Sequence, residues 1–162
     1  MATSVLTPGF AGVDIDNVST TQQFALGTVI QTTAGAYYKY VQADGAKTQY
    51  FVYAIDHAGQ LGAGVTQTTD DTAPLLLGIP QQATSFADNE YGWVFVGPGA
   101  ARVRVLASCA IDVLIYTTAT AGALDDASAS AKVVQGLKIT TVNGGSAADQ
   151  PCWAATQVHI ST

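Results

Sequence analysis

The sequence predicts an all-β fold: a single β-sandwich or β-barrel domain of about nine short strands, with an extended N-terminal arm. Three observations predict it. Strand-favouring Thr, Val, Tyr and Ile abound, whereas Lys is scarce and Glu90 is the only Glu. The apolar runs are short, and Gly, Pro, Asn or Asp breaks each of them. Several of these runs alternate with the period of a strand, as in Ala101 to Leu106.

Residues 1–23 are polar and turn-rich, with Pro8-Gly9, Gly12, Asp14, Asp16-Asn17 and Ser19 to Thr21. They read as an extended arm with one short strand at most, and residues 24–162 as the β domain. An arm too short to bury itself becomes ordered by lying on a neighbour. Its apolar side chains Val5, Leu6, Phe10, Val13 and Ile15 are therefore expected to make subunit or surface contacts.

Phe24 to Thr32 is the first strand-like segment of the domain and Ala36 to Ala43 the second, joined by a tight connection at Thr33-Ala34-Gly35. Asp44-Gly45 is a turn signal. Tyr50 to Ile55 reads as a buried strand, His57 to Gly64 as a Gly-punctuated loop, and Asp70 to Pro74 as a second loop. Leu75 to Ile79 and Tyr91 to Val96 read as strands. Gly97-Pro98-Gly99 is a clear turn. In Ala101 to Leu106, Arg102 and Arg104 face one way, and Val103 and Val105 the other. Ala110 to Tyr116, Val133 to Val142 and Trp153 to Ile160 complete the strands, with Asn143-Gly144-Gly145 as a turn. The Ala-rich stretch 121–134 has room for one helical turn, but its Ser and Gly oppose a long helix. No strict internal repeat is visible. A loose Gly-then-apolar pattern recurs at Gly27-Thr28-Val29, Gly78-Ile79 and Gly136 to Ile139, as if successive strands enter one barrel.

The 162 residues are 48% hydrophobic and only 11% charged, with a net charge of -6. Soluble domains average about 25% charged residues. The polar surface therefore comes from Thr, Ser, Gln, Asn and Asp, which suits permanent protein contacts where burying charge is costly. Six Lys and Arg residues in an acidic chain form no basic stripe, which argues against nucleic acid. The N-terminus lacks the basic and apolar regions of a signal peptide. No apolar run approaches the ~18 residues of a membrane span.

Candidate chemistry is sparse. His57 and His159 are the only imidazoles, and no G-x-S-x-G is present. Cys109 lies in an apolar pattern, the usual home of an inert thiol. Cys109 and Cys152 read as two buried free thiols or, alternatively, as a disulfide. Asp70-Asp71 and Asp125-Asp126 read as solvated loop acids rather than a glycosidase pair. Asp14-Ile15-Asp16-Asn17 alternates oxygen ligands but lacks the closing Glu of a calcium loop. Neither metal nor cofactor is expected. Tyr37, Tyr38, Tyr40, Tyr50, Phe51 and Tyr53 read as core or interface, with a sugar-binding platform as the alternative.

Four segments carry a resemblance: LGTVIQ (Leu26 to Gln31), LLLGIPQQATSFADNEYGWVFVGPGAARV (Leu75 to Val103), YTTATAGALDDAS (Tyr116 to Ser128) and VVQGLKIT (Val133 to Thr140). In this order they resemble the capsid decoration and head-stabilising proteins of tailed bacteriophages. The resemblance implies a non-enzymatic virion protein on the outer surface of a phage head. It further implies the major capsid protein as partner and a homo-oligomer, a trimer before a dimer. Membrane and nucleic acid are not expected partners. Arg102 and Arg104 are then expected to meet acids on the shell. The competing expectations are a carbohydrate-binding β-sandwich module and another virion part, a tail or fibre β-domain.

Overall fold

The computed structural model describes residues 4–7, 10–69, 75–128 and 131–160. Among them are thirteen strands and no helix. In chain order these are β1 (Ser4–Thr7), β2 (Phe10–Asp14), β3 (Val29–Gln31), β4 (Tyr37–Ala43), β5 (Tyr53–Ile55), β6 (Gln60–Gly64) and β7 (Leu75–Pro80). They continue as β8 (Tyr91–Phe95), β9 (Gly99–Val105), β10 (Ile115–Thr117), β11 (Leu124–Asp125), β12 (Val133–Ile139) and β13 (Ala148–Ile160). The all-β expectation holds, and the chain takes the barrel form of it.

Strand pairing closes twice. β9 pairs with β11 in parallel and with β13 antiparallel; β10 pairs with β11 and β12, and β12 with β13. These five strands form a barrel. β4 pairs with β6 in parallel and with β8 antiparallel; β5 pairs with β6 and β7, and β7 with β8. The second set of pairings repeats the first, with β4 to β8 standing where β9 to β13 stand. The two circuits join where β7 pairs with the end of β13, Leu76 opposite His159 and Leu75 opposite Ile160.

The repeat extends to residues. Ala43 pairs with Leu61 in the first circuit, as Val105 pairs with Leu124 in the second. Asp44 N donates to Leu61 O at 3.0 Å, and Leu106 N to Leu124 O at 2.9 Å. Val52 to Leu61 (VYAIDHAGQL) aligns with Ile115 to Leu124 (IYTTATAGAL), sharing Tyr, Ala, Gly and Leu. Gly59 and Gly122 occupy the same place, both at positive φ, where glycine turns the chain without strain. The loose pattern at Gly78 and Gly136 falls on β7 and β12, which correspond between circuits.

Alternation fills both interiors. Val41, Ala43, Ile55, Leu61, Val94 and Val96 pack together in the first circuit. Val103, Val105, Leu124, Ile139, Cys152 and Ala154 are buried in the second. The outward side chains of the first circuit, Tyr38, Tyr40, Trp93 and Phe95, are buried as well, in one core that they share with residues 13–30 and with the second circuit. Phe24 places its ring 5.2 Å from both Tyr40 and Trp93, and Ile30 pairs with Tyr38.

Several elements differ from expectation. The N-terminal residues form a two-strand hairpin, β1 with β2, rather than one strand at most. Residues 60–64 form β6, because Asp56 accepts the N–H groups of Ala58 and Gln60 at 2.9 and 2.8 Å and turns the chain into a strand. The segments expected from Phe24, Tyr50 and Ala110 shorten to β3, β5 and β10. Positive φ at Tyr50 (66°) and Asp112 (57°) keeps those residues in turns. The Ala-rich stretch carries no helical turn among its described residues; Leu124 enters the barrel as β11. The loop expected at Asp70 to Pro74 lies outside the described residues.

Candidate interaction surface

The second circuit presents an apolar surface built from two tied segments. The first is the loop between β9 and β10. Ser108 N donates to Gly144 O at 2.8 Å, Asp112 N to Ile139 O at 3.2 Å, and Asn143 N to Cys109 O at 3.0 Å. These bonds hold it against β12 and the β12–β13 connection. Asn143, itself buried, braces the same corner: its amide donates to Leu106 O and Ser146 O, and its oxygen accepts from Gln150. Asp126 Oδ2 accepts the Ala110 N–H at 3.0 Å. With its backbone so fixed, the loop turns Ile111, Val113 and Leu114 outward.

The second segment is the pair β12–β13, where Lys138 stands opposite Trp153. Alternation that buries Cys152 and Ala154 sends Trp153 outward. Five of the six exposed large hydrophobics of the described residues belong to this part of the chain: Ile111, Val113, Leu114, Val142 and Trp153. Leu114 and Val142 are each 62% exposed and Trp153 53%. Single exposed apolar side chains are ordinary, whereas a concentration of them marks a contact surface. Val113, Leu114 and Trp153, with Val133 and Leu137, wall a groove of about 460 Å³, and Lys138 lines it as well.

The expected contact residues fare differently. Val13 and Ile15 are 8% and 5% exposed and belong to the chain's own core. Val5, Leu6 and Phe10 lie in β1 and β2, but their side chains are outside the described residues. Arg102 and Arg104 share the outer face of β9, and within the chain both reach Asp149. Arg104 Nη1 lies 3.2 Å from Asp149 Oδ1, and Arg102 donates to the Asp149 carbonyl at 2.7 Å. Their guanidinium groups rest over the Tyr50 and Phe51 rings.

Both cysteines are free and buried. Burial pushes the Cys109 thiol up to about 11, with the Asp126 and Asp125 charges adding to it. Burial pushes Cys152 up to about 12, against the opposing pull of the Ala101 N–H and the Arg102 charge. Both are therefore protonated at neutral pH and poor nucleophiles. Cys109 Sγ and carboxylate oxygens of Asp125 and Asp126 come within 4.8 Å of one another. Asp125 and Asp126 are half-buried rather than fully solvated, and Asp126 anchors the loop described above. Asp14 Oδ1 accepts the Asp16 N–H at 3.0 Å, closing a local turn. His57 is exposed, and His159 Nδ1 lies 3.0 Å from the Gln157 carbonyl oxygen. Of the aromatic set, Tyr38, Tyr40 and Tyr53 are buried and Tyr37, Tyr50 and Phe51 half-buried, which is core packing.

Sequence reasoning did not single out Trp153, Leu114 or Val142. The alternation around Cys152 signals that Trp153 faces away from its neighbours. Which of the two faces is covered depends on the circuit closure, which no local pattern carries. Comparison with known proteins finds no matching family model, curated protein or solved structure.

Proposed function

We propose that this chain is a structural virion protein that binds the outer surface of a phage head and stabilises the shell. The observation that carries the reading is the concentration of exposed Ile111, Val113, Leu114, Val142 and Trp153 on one circuit of an otherwise well-buried β protein. A protein that saturates a lattice needs such a surface, and low charge limits what its burial costs. The sequence resemblance to capsid decoration proteins points the same way. The partner is the major capsid protein, the contact is non-covalent, and the reading involves no catalytic step. The chain acts as a homo-oligomer, a trimer before a dimer, as symmetric lattice sites favour.

Mass analysis of purified tailed-phage particles that encode the chain tests this. The reading expects it in fixed stoichiometry to the major capsid protein, and released by treatments that leave the shell intact. A chain that never co-purifies with particles removes the reading. Native mass spectrometry reads the oligomer, and a lone monomer at micromolar concentration counts against that part.

A further inference from the structure

The two circuits share one pattern of pairings, but only one of them is covered. In the first, Ile79 pairs with Phe95. Both are fully buried in the main core. The corresponding pair in the second is Lys138 and Trp153, and both stand exposed. The correspondence follows from register: Tyr38 pairs with Phe95 as Ala100 pairs with Trp153, counted from the matching pairs Ala43–Leu61 and Val105–Leu124.

We propose that this second face is completed by an extended apolar peptide segment carrying one carboxylate, supplied by the protein surface to which the chain attaches. The inference rests on the reading above for the source of that segment and on the structure for its chemistry.

The first circuit shows what such a face takes. Next to the Ile79–Phe95 pair, on β4 and β8, a stretch of this same chain lies on the outer face, with Phe24 against Tyr40 and Trp93 and with Ile30 paired to Tyr38. The groove of about 460 Å³ falls in the size range of binding clefts, roughly 300–1,000 Å³. It follows β12 from Val133 to Lys138. At about 3.3 Å per residue, that is the length of an extended peptide of about five residues. Gly136 lines it without a side chain, at the position where Leu77 stands in the first circuit, which leaves room there for an apolar side chain of the ligand.

The charge in the groove sets the rest. Lys138 has no ion-pair partner and the Trp153 indole N–H no hydrogen-bond partner among the described residues. Both are donors, side by side on one face, where the first circuit has two hydrocarbon side chains. In a chain of net charge -6, a lone cation lining an apolar groove selects a carboxylate and rejects a second cation.

The test uses the full chain and a panel of acetylated, amidated pentapeptides that alternate Leu or Val with a single Asp, Asn or Lys at the fourth position. Trp153 is the reporter, since Trp93 is only 1% exposed and Trp153 53%. The Asp peptides are expected to shift its emission to shorter wavelength saturably and to bind about threefold to fivefold tighter than the Asn peptides. That preference is expected to vanish in Lys138→Gln and in high salt. Lys138 is exposed, so an unchanged unfolding midpoint confirms that the variant folds. Equal binding of Asp and Asn peptides, or no saturable shift with any peptide, overturns the proposal. A blue shift that grows with protein concentration in the absence of peptide also overturns it, by assigning the face to a second copy. Failure here with the chain present on particles removes this inference alone. Peptide binding with the chain absent from particles removes the attachment reading alone.

Discussion

Lys138 stands opposite Trp153 in the second circuit at the place where Ile79 stands opposite Phe95 in the first. The same pairing geometry thus holds a sealed hydrocarbon contact in one half of the chain and an open, singly charged one in the other. A paired substitution reads this asymmetry directly. Phe95→Ala removes a fully buried ring and is expected to cost about 3–5 kcal/mol. Trp153→Ala removes a half-exposed one and is expected to cost about 1 kcal/mol or less. Urea unfolding of the two variants, with similar losses for both, would contradict the assignment.

Val13 and Ile15 tie the N-terminal segment to the main core. Ile15→Ala is expected to lower stability by about 2–5 kcal/mol, since the side chain is only 5% exposed and lies in the main core. Removal of residues 1–21 is expected to leave a domain with a clearly lower thermal midpoint. A truncated chain with the full-length midpoint would show that these contacts carry no stability.

Gly136 makes room for the strand that pairs with it. Its φ is +83°, and a Cβ there would meet Gln157 O and Thr156 Oγ1, each at 2.7 Å. β13 is irregular opposite this residue, with register jumping between Gln135 and Leu137. Gly136→Ala is therefore expected to cost about 2 kcal/mol or more, from left-handed strain plus displacement of the Gln157 backbone. Gly144→Ala, where a Cβ meets nothing within 4 Å, is the control and is expected to be near neutral.

The thiols give a chemical test of burial. With Cys109 pushed up to about 11 and Cys152 to about 12, neither is expected to react with an alkylating reagent at mildly alkaline pH in the folded chain. Both are expected to react once the chain unfolds. Fast labelling of the folded protein, read by mass, would place a thiol at the surface.

Asp125 carries a pH signature. Burial first, against the opposing pull of the Asp126 N–H, and then the Asp126 carboxylate hold its carboxyl above the ordinary value of 3.8. The folded chain therefore binds this proton more tightly than the unfolded chain does. Its contribution to stability is full below the unfolded value and is lost as pH rises through the folded one. Asp125→Asn is accordingly expected to raise the unfolding midpoint at neutral pH, with the gain fading below the ordinary carboxylate range. Asn keeps the oxygen that accepts the Asp126 N–H. A gain that persists at low pH would point to a cause other than the proton.

What the sequence carries is local. The alternation Arg102-Val103-Arg104-Val105 gives the faces of β9, and Gly-rich turns give most connections. It does not carry closure. β6 and β11 meet β4 and β9 in parallel across distant stretches of chain, and no periodicity announces that. The repeat is faint in the sequence, because only Tyr, Ala, Gly and Leu are shared between VYAIDHAGQL and IYTTATAGAL. The contact surface escaped for a related reason. Trp153 and Phe95 sit in similar alternating patterns, and only the tertiary packing decides which of them is covered. Arg102 and Arg104 were placed on the right face, but Asp149, their partner, is a cross-strand neighbour that only register reveals.

Under the proposed function, the open face of the second circuit is the attachment surface. The most direct measurement is the copy number, on purified particles, of a Leu114→Ser, Trp153→Ser double variant against the unaltered chain. Both positions are more than half exposed, so the variant is expected to fold with a near-normal unfolding midpoint and yet to be missing from particles. A variant that folds and is retained at full occupancy would contradict the account.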